Sequence, residues 1–536
     1  MFRIQTSLLA IAALVPLASA GAVTPLPCEK LANLGLPNVK ISLAQMVAAG
    51  AFTPPPSPMP PMGPPPSFKD MPAFCRVVLD ATPTPDSDIK IEVWMPATGW
   101  NKKFRGQGNG GFAGMIDYPG LGYAVKRGYA SAATGTGHSG SPIDASWALG
   151  HPQKVVDFGN RAIHLMTLNA AAIIGAFYGE NSQRSYFASC SDGGREALME
   201  AQRFPEDYDG IIAGAPAYHW THLLTAALWD LQATTLDPAS YIPAAKVPAI
   251  SKAVLAACDT QDGVTDGVVN DPRQCHFDPE TIVCKGADSA DCLTAPQVTA
   301  LKAIYAGPHD SAGHQVFPGY PPGGEEGPGG WGLWITGSSP RNSLIAYFGL
   351  GYFSNIVYEK KDWDYKTFTV DAGLKAADER TAAALDASDP NLEAFRARGG
   401  KLILYHGWSD AAIPAGSSID YHDRVVAAMG QATTESFLRL YMVPGMWHCG
   451  GGPGPNYFME DNRTAPGDAK HNIYAALEQW VEKNVAPPAI VATKYNDDNP
   501  AKGIKMTRPL CAYPQIAKYK GTGDTSDAVN FVCAKP

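Results

Sequence analysis

The sequence predicts an α/β fold with a mostly parallel sheet and one large insertion. Short apolar segments typical of buried strands lie at residues 89–95, 103–107, 129–134, 185–189, 210–213, 401–405 and 437–443. Helical patterns at residues 154–177 and 193–203 separate several of these segments. Strands that alternate with helices in this way form a parallel sheet covered by helices on its faces.

The alternation stops between residues 217 and 399. This segment contains four cysteines, five tryptophans and a stretch rich in glycine and proline at residues 307–332. It is too long for a loop inside a compact domain. We therefore predict an inserted lid domain at residues 217–399 that interrupts a core made of residues 21–216 and 400–536. A site under the lid would lie at the carboxyl ends of the strands.

Length and composition exclude several classes of protein. The 536 residues exceed one ordinary domain but fit one large core with an insertion. Apolar residues make up 45% and charged residues 17%, which excludes a disordered chain and a coiled coil. The net charge of −9, from 42 basic and 51 acidic residues, disfavours a nucleic-acid partner, because that partner needs a basic surface.

The first twenty residues are typical of a signal peptide. Arg3 is followed by an apolar run at residues 7–17 and by small residues at 18–20, so cleavage is expected before Gly21. The run is too short to span a bilayer core of roughly 30 Å, and no later stretch is long and uncharged enough. We predict a secreted or periplasmic protein without a membrane partner, in a compartment where disulfides form.

The ten cysteines then represent five candidate disulfides. Their spacing suggests four local pairs, Cys28 with Cys75, Cys258 with Cys275, Cys284 with Cys292, and Cys511 with Cys533. Cys190 and Cys449 remain, far apart in sequence. Ten cysteines can pair in about 945 ways, so spacing alone leaves the connectivity open.

Ser191 lies between a predicted strand and a predicted helix, at the centre of a degenerate G-x-S-x-G pattern. Ser189, Gly193 and Gly194 supply the small flanking residues that a strained strand-to-helix turn requires. A serine at such a turn can also be a simple helix cap. The strand, turn and helix context favours a nucleophile.

A serine nucleophile on this type of sheet needs an acid and then a histidine later in the chain. Asp410 follows the strand at residues 401–405, and His448 follows the strand at residues 437–443. Asp410 could instead cap a helix. His138 and His406 are the rival bases, but His138 precedes the serine and His406 precedes Asp410, so chain order favours His448.

The two unassigned cysteines adjoin these residues, since Cys190 precedes Ser191 and Cys449 follows His448. A disulfide needs Cα atoms about 4.4 to 6.8 Å apart, and a serine–histidine hydrogen bond needs about 2.6 to 3.2 Å. Both distances are met if the serine turn and the histidine loop lie side by side. The alternative is two unrelated buried thiols.

An oxyanion hole is expected from the backbone N–H of Asp192 and from the glycine-rich turn at residues 106–114. Gly111 is the predicted donor of that turn, with a register uncertainty of one residue. A nucleotide-binding loop is disfavoured, because no G-x-G-x-x-G pattern opens a helix and no Walker lysine follows.

Residues 258–269 of the insertion predict a calcium loop. Asp259, Asp262 and Asp266 offer hard oxygen ligands between turn glycines, and the carbonyls of Val264 and Val268 could complete the shell. The loop is not an EF-hand, because the bidentate glutamate is missing. A solvated acidic turn is the alternative.

Five segments resemble the tannase and feruloyl esterase family. They are CSDGGR at residues 190–195, RFPEDYDGI at 203–211, YHGWSD at 405–410, VPGMWHC at 443–449 and RPLCAYP at 508–514. The resemblance implies an α/β-hydrolase core with a lid, a catalytic triad of Ser191, Asp410 and His448 crossed by a disulfide, and structural Ca²⁺ without an organic cofactor.

Family members hydrolyse esters of aromatic acids such as ferulate or gallate, so a small aromatic ester is the expected partner of a secreted serine carboxylesterase. A terephthalate monoester hydrolase also belongs to the family and is the alternative. Residues 347–353 contain aromatic residues without an arginine for a free carboxylate, and Phe348 is expected to stack on the acyl group. A non-catalytic calcium-stabilised binding protein and a serine peptidase are further alternatives. Nothing in the sequence indicates an oligomeric state.

Overall fold

A computed structural model describes residues 24–57, 66–459 and 466–536. The predicted signal peptide and its cleavage site lie outside these ranges. So do residues 58–65 of the proline-rich stretch that the Cys28–Cys75 disulfide encloses. Within the described ranges, no helix combines the length and apolar character that a membrane-spanning segment needs.

A nine-stranded sheet forms the centre of the molecule, in the order β1-β2-β3-β5-β4-β6-β7-β8-β9. The strands are β1 Val39–Val47, β2 Phe74–Ala81, β3 Ile89–Pro96, β4 Lys103–Gln107, β5 Ala130–Thr134, β6 Arg184–Cys190, β7 Gly210–Gly214, β8 Lys401–Gly407 and β9 Leu438–Val443. Strands β4 to β9 run parallel, and β1 to β3 add an antiparallel edge through β5. The predicted α/β class is confirmed.

Two small antiparallel hairpins follow near the carboxyl terminus, β10 Ala489–Tyr495 with β11 Ile504–Cys511, and β12 Ile516–Tyr519 with β13 Phe531–Ala534. The α-helices are α1 Tyr118–Lys126, α2 Pro152–Val156, α3 Ala162–Tyr178, α4 Asp192–Arg203, α5 Trp220–Thr235, α6 Val247–Cys258, α7 Ala295–Ala306, α8 Trp331–Trp334, α9 Leu344–Gly351, α10 Val370–Ala377, α11 Ala383–Leu385, α12 Glu393–Ala397, α13 Gly416–Met429, α14 Gln431–Phe437 and α15 Ile473–Lys483.

The predicted elements of the core lie within a few residues of the observed ones. The long helix differs, because a π-helical turn at Asp157–Arg161 separates α2 from α3. Strands β1 and β2 were not predicted. The side chains of β1 are mostly exposed or half-exposed, as at an edge strand, so the apolar alternation that marks a strand is weak there.

Residues 217–399 enter the chain between β7 and β8. They form helices α5 to α12 with irregular segments and two isolated bridges, and they have an apolar core of their own around Ile250, Leu301 and Trp331. Because β7 and β8 pair directly, the insertion leaves the sheet unbroken. It emerges at the carboxyl end of β7, beside the end of β6 that precedes Ser191.

Five disulfides are present: Cys28–Cys75, Cys190–Cys449, Cys258–Cys275, Cys284–Cys292 and Cys511–Cys533. The pairs are those that the spacing suggested. Four close local loops, and Cys190–Cys449 joins the end of β6 to the loop after β9 across 259 residues of sequence.

Candidate active site

Ser191 occupies a strained turn between β6 and α4. Its φ of 68° and ψ of −126° lie in a region that non-glycine residues rarely adopt, at a cost of about 1 to 3 kcal/mol. Its N–H donates to the carbonyl of Gly214, and its carbonyl accepts from Gly194 and Ala217, so both neighbouring elements hold the turn. Gly193 must lack a side chain, because a Cβ there would lie 2.0 Å from Ser189 Oγ.

His448 and Asp410 lie in line with the serine. His448 Nε2 is 2.9 Å from Ser191 Oγ, and His448 Nδ1 is 2.8 Å from Asp410 Oδ2. The three residues follow β6, β8 and β9, and the carboxyl ends of parallel strands lie at one edge of a sheet. The structure thus brings together the three residues that chain order selected.

Asp410 is fully enclosed and held on both carboxylate oxygens. Oδ1 accepts the backbone N–H groups of Ala412 and Ile413 at 2.8 and 2.9 Å. Burial favours the protonated acid, but the charge of His448 and the hydrogen bonds from His406 and His448 outweigh it and lower the pKa of Asp410. The carboxylate is therefore ionised at neutral pH and can stabilise an imidazolium at His448.

The two rival histidines occupy other positions. His406 is buried with Nε2 3.2 Å from Asp410 Oδ2 and Nδ1 2.8 Å from Ser418 Oγ, so it supports the acid. His138 stacks on Trp147 at 3.9 Å, and burial lowers the pKa of His138 to about 4. Neither is paired with Ser191.

Cys190 and Cys449 bridge the two loops, with Cα atoms 5.9 Å apart. Cys449 has a φ of 58°, so the residue after His448 is bent into the left-handed region. The disulfide therefore fixes the backbone on one side of Ser191 to the backbone on one side of His448.

The two predicted oxyanion donors face the same space. Gly111 and Asp192 both line the cavity beside Ser191, and within the described chain the backbone N–H of neither donates to a protein acceptor. Gly111 has a φ of 58°, and a Cβ there would lie 2.3 Å from the carbonyl of Pro142. Asp192 begins α4, so the positive end of a helix dipole points at the cavity.

Arg195 neutralises the side chain of Asp192 inside the protein. Its Nε donates to Asp192 Oδ1 at 2.7 Å, and its other nitrogens donate to the carbonyls of Phe158 and Gly159 in the π-helical turn. Burial raises the pKa of Asp192, and the charge of Arg195 opposes that shift. Sequence reasoning missed Arg195, because no local spacing links α4 to that turn.

An apolar cavity adjoins Ser191. Besides Ser191, Gly111 and Asp192, its lining residues are Ala217, Trp220, Leu223, Leu224, Ala227, Tyr320, Trp334, Ile345, Phe348, Ala412 and Ile413. No lysine, arginine or histidine is among them. Phe348 packs against Phe112 at 5.4 Å, and Trp334 packs edge-to-face on His448 at 5.0 Å. Most of the wall comes from the insertion, so a local sequence pattern could not reveal it.

The predicted calcium loop forms two turns with glycines in the left-handed region at 263 and 267. Asp259 accepts the N–H groups of Asp266 and Gly267, while Asp266 Oδ2 lies 2.5 Å from Arg508 Nη2. Burial, and to a lesser degree the neighbouring carboxylates, raise the pKa of Asp262 to about 6.

Two backbone carbonyl groups of the loop are also candidate calcium ligands. Val264 and Val268 are buried, and their carbonyl oxygens accept no hydrogen bond from the described part of the chain. The three carboxylates do not converge on one point as they stand. Among the described residues, ligand atoms gather within 4.8 Å only at Cys284, Asp288 and Cys292, where the cysteines form a disulfide, and at His164, Glu200 and Asp207.

A family model described as "Tannase and feruloyl esterase" matches residues 75–534. An uncharacterized esterase of Xanthomonas campestris is 43% identical over 98% of this chain and 94% of its own length. The mono(2-hydroxyethyl) terephthalate hydrolase of Piscinibacter sakaiensis is 36% identical over 84% and 82%. The crystal structure of feruloyl esterase B from Aspergillus oryzae superposes with a TM-score of 0.85 at 28% identity, over 95% of this chain and 99% of that one. The expected α/β-hydrolase fold and family resemblance are confirmed.

Removing the disulfide between the serine turn and the histidine loop tests whether it positions these residues. We expect the double variant Cys190→Ala, Cys449→Ala to lower kcat/KM for methyl ferulate about 100-fold, at a temperature where circular dichroism shows a folded protein. The reason is that a displacement of about 1 Å between reacting groups costs roughly that factor.

The control is Cys511→Ala with Cys533→Ala, which removes a disulfide near the carboxyl terminus. This control should lower the melting temperature and leave kcat/KM within about threefold. Equal losses of activity in the two double variants would mean that the Cys190–Cys449 disulfide contributes only to folding.

Proposed function

Because the chain belongs to the tannase and feruloyl esterase family, we propose that it is a serine carboxylesterase acting on esters of aromatic acids through an acyl-enzyme. The observation that carries the proposal is the continuous hydrogen-bond chain from Ser191 through His448 to the buried Asp410. Ser191, at one end of this series of hydrogen bonds, lines an apolar cavity.

Each residue of the chain has one role in the proposed mechanism. His448 accepts the proton of Ser191 as the hydroxyl oxygen attacks the ester carbonyl, and it returns that proton to the leaving alcohol. Asp410 holds the imidazole through Nδ1 and stabilises its positive charge. Water then attacks the acyl-enzyme with His448 again as base, which releases the acid and restores Ser191.

The oxyanion formed in both steps is proposed to bind the backbone N–H groups of Gly111 and Asp192. Neither N–H donates to an acceptor in the described part of the chain, which supports this role, as does the helix that begins at Asp192. Loss of one such donor typically costs about 100- to 1000-fold in kcat.

The cavity favours an uncharged aromatic acyl group of hydroxycinnamic or gallic type, with Phe348 packed against its ring. The lining contains no cationic side chain that could pair with a second carboxylate. Burying an unpaired carboxylate costs several kcal/mol, so terephthalate monoesters should be poor substrates in spite of the relative that hydrolyses one.

A matched pair of esters tests this function. We expect kcat/KM for 2-hydroxyethyl 4-methylbenzoate to exceed that for mono(2-hydroxyethyl) terephthalate at least tenfold, because only the second carries a charge into the cavity. Chromatography of the released acids measures both rates, and methyl ferulate and methyl gallate rank the hydroxylated acids. Ser191→Ala is the control and should release no acid. Turnover by that variant would refute the assignment of Ser191 as the nucleophile. A preference for the charged ester would refute the proposed specificity for uncharged acyl groups.

Residues 217–399 are proposed to be a lid domain between core segments 21–216 and 400–536. The contribution of Trp220, Trp334 and Phe348 to the cavity wall supports this division. We also propose export to the periplasm or the medium after signal-peptide removal, since five disulfides suit an oxidising compartment.

The loop around Asp262 is proposed to bind a structural Ca²⁺ through Asp259, Asp262, Asp266 and the carbonyls of Val264 and Val268. Val264 and Val268 are buried, and their carbonyl oxygens accept no hydrogen bond from the described residues, which supports the proposal. The three carboxylates of the loop, one of which pairs with Arg508, support it as well. The ion would stabilise the insertion and takes no part in the chemistry.

Calcium removal tests this site. We expect EGTA to lower the melting temperature of the wild-type protein by several degrees, because the ion binds the folded state. Without EGTA, Asp262→Asn should already melt at the lower temperature that the wild-type protein shows in EGTA, and adding EGTA should not change it. Asp271→Asn is the matched control, since Asp271 pairs with Arg273 outside the loop, and it should keep the response. A wild-type protein indifferent to EGTA and to added Ca²⁺ would contradict the assignment.

A further inference from the structure

Asn109 fastens the glycine-rich turn to the helix that follows Ser191. Its backbone N–H donates to Glu196 Oε2 at 2.8 Å, and its carbonyl accepts from the N–H of Gly193 at 2.8 Å. Both partners belong to the first turns of α4. The peptide groups on either side of Asn109 are therefore held by the same helix that begins with Asp192.

The side chain of Asn109 closes the other side of this turn. Its Nδ2 donates to the carbonyl of Met115 at 3.0 Å and to the carbonyl of Thr134 at 2.9 Å. Gly111 lies between Asn109 and Met115 in the chain. The direction of the Gly111 N–H is thus set by a turn that is anchored to β5 and to α4, and to the loop after β5 by the hydrogen bond from the Phe112 N–H to the Pro142 carbonyl.

Glu196 is one of two buried glutamates of α4, and it is the one that accepts a hydrogen bond from the glycine-rich turn. Only 1% of its surface is exposed, and its second oxygen, Oε1, is buried without a hydrogen-bond partner in the described part of the chain. The next three residues of α4 are Ala197, Leu198 and Met199, all buried and apolar. A buried carboxyl group is costly compared with such residues, so packing alone does not account for Glu196.

We propose that Glu196 is a positioning residue that sets the distance between the two oxyanion donors, Gly111 and Asp192, by holding Asn109 against α4. The inference rests on the proposed function and extends it to a residue that does not touch the substrate. Asp192 belongs to the backbone of α4, whereas Gly111 is linked to that helix through Asn109, which is held by the Glu196 carboxyl group and by the N–H of Gly193.

The consequence is specific to the transition state. Oxyanion donors act at about 2.7 to 3.1 Å from the position of the developing negative charge, and the ester carbonyl of the bound substrate lies elsewhere. A small displacement of Gly111 should therefore lower kcat and leave KM nearly unchanged.

The experiment compares two substitutions of similar size. Glu196→Gln keeps an oxygen that can accept the Asn109 N–H, and Glu196→Met fills the same space without an acceptor. We expect kcat for methyl ferulate to fall about 30- to 100-fold in Glu196→Met, with KM within about threefold, and to stay within about threefold in Glu196→Gln. Inhibition by 4-methylphenylboronic acid, which forms a tetrahedral adduct with the serine, should weaken in parallel with kcat.

Glu200→Met is the matched control, because Glu200 lies one turn further along α4, is equally buried and makes no hydrogen bond to the glycine-rich turn in the described part of the chain. It should leave kcat within about threefold. Asn109→Ala provides a second variant if Glu196→Met does not fold, and it should also lower kcat more than it changes KM.

Three results would overturn the inference. They are a Glu196→Met protein with wild-type kcat, a Glu196→Gln protein as slow as Glu196→Met, and an equal loss of kcat in Glu200→Met. In each case the wild-type enzyme is active, so the proposed function stands. A wild-type protein that releases no acid from any ester of an aromatic acid would instead refute the proposed function itself.

Discussion

The backbone turn at Ser191 is the constraint on which the rest of the site depends. A non-glycine residue at φ 68° persists only when surrounding contacts determine it. Here the contacts come from Gly214 at the end of β7, from Gly194 in α4 and from Ala217 at the start of the insertion. The same turn places the hydroxyl 2.9 Å from His448 Nε2 and starts the helix whose first residue, Asp192, lines the cavity.

The ionic side chains of Arg195, Asp192 and Asp410 are buried near this turn, and each contacts partners inside the protein. Arg195 and Asp192 form an internal ion pair, and the guanidinium of Arg195 also donates to the carbonyls of Phe158 and Gly159 in the π-helical turn. Removing one member of such a pair typically costs about 3 to 5 kcal/mol, because the other charge remains in the interior. Asp410 is stabilised separately, by two histidines and two backbone N–H groups.

The order of the catalytic candidates could be predicted because each one follows a strand of a parallel sheet. Small residues around Ser191, the strand endings before Asp410 and His448, and the cysteines beside two of them all indicate one edge of the sheet. The connectivity of those cysteines could not be fixed by spacing, and the structure supplies it. Gly111 of the glycine-rich turn has a positive φ, which favours glycine at that position, and its role as an oxyanion donor remains a prediction.

The features that could not be predicted from the sequence depend mostly on contacts between distant segments. The cavity wall combines α5, α8 and α9 of the insertion with loops of the core. No sequence pattern in residues 217–399 predicts that these helices lie together. Asn109 and Glu196 are separated by 87 residues, so their hydrogen bond has no local signal. The edge strand β1 was missed because its side chains are largely exposed, and the calcium loop remains a prediction from donor chemistry.

The central claim is that Ser191 carries the acyl group between the two half-reactions. Rapid mixing with 4-nitrophenyl ferulate, an acid quench and peptide mass mapping measure this directly. The account predicts a feruloyl ester on the peptide that contains Ser191, present at early times and lost once the substrate is consumed. Ferulate release with no acylated peptide, or with the acyl group on another side chain, would contradict it.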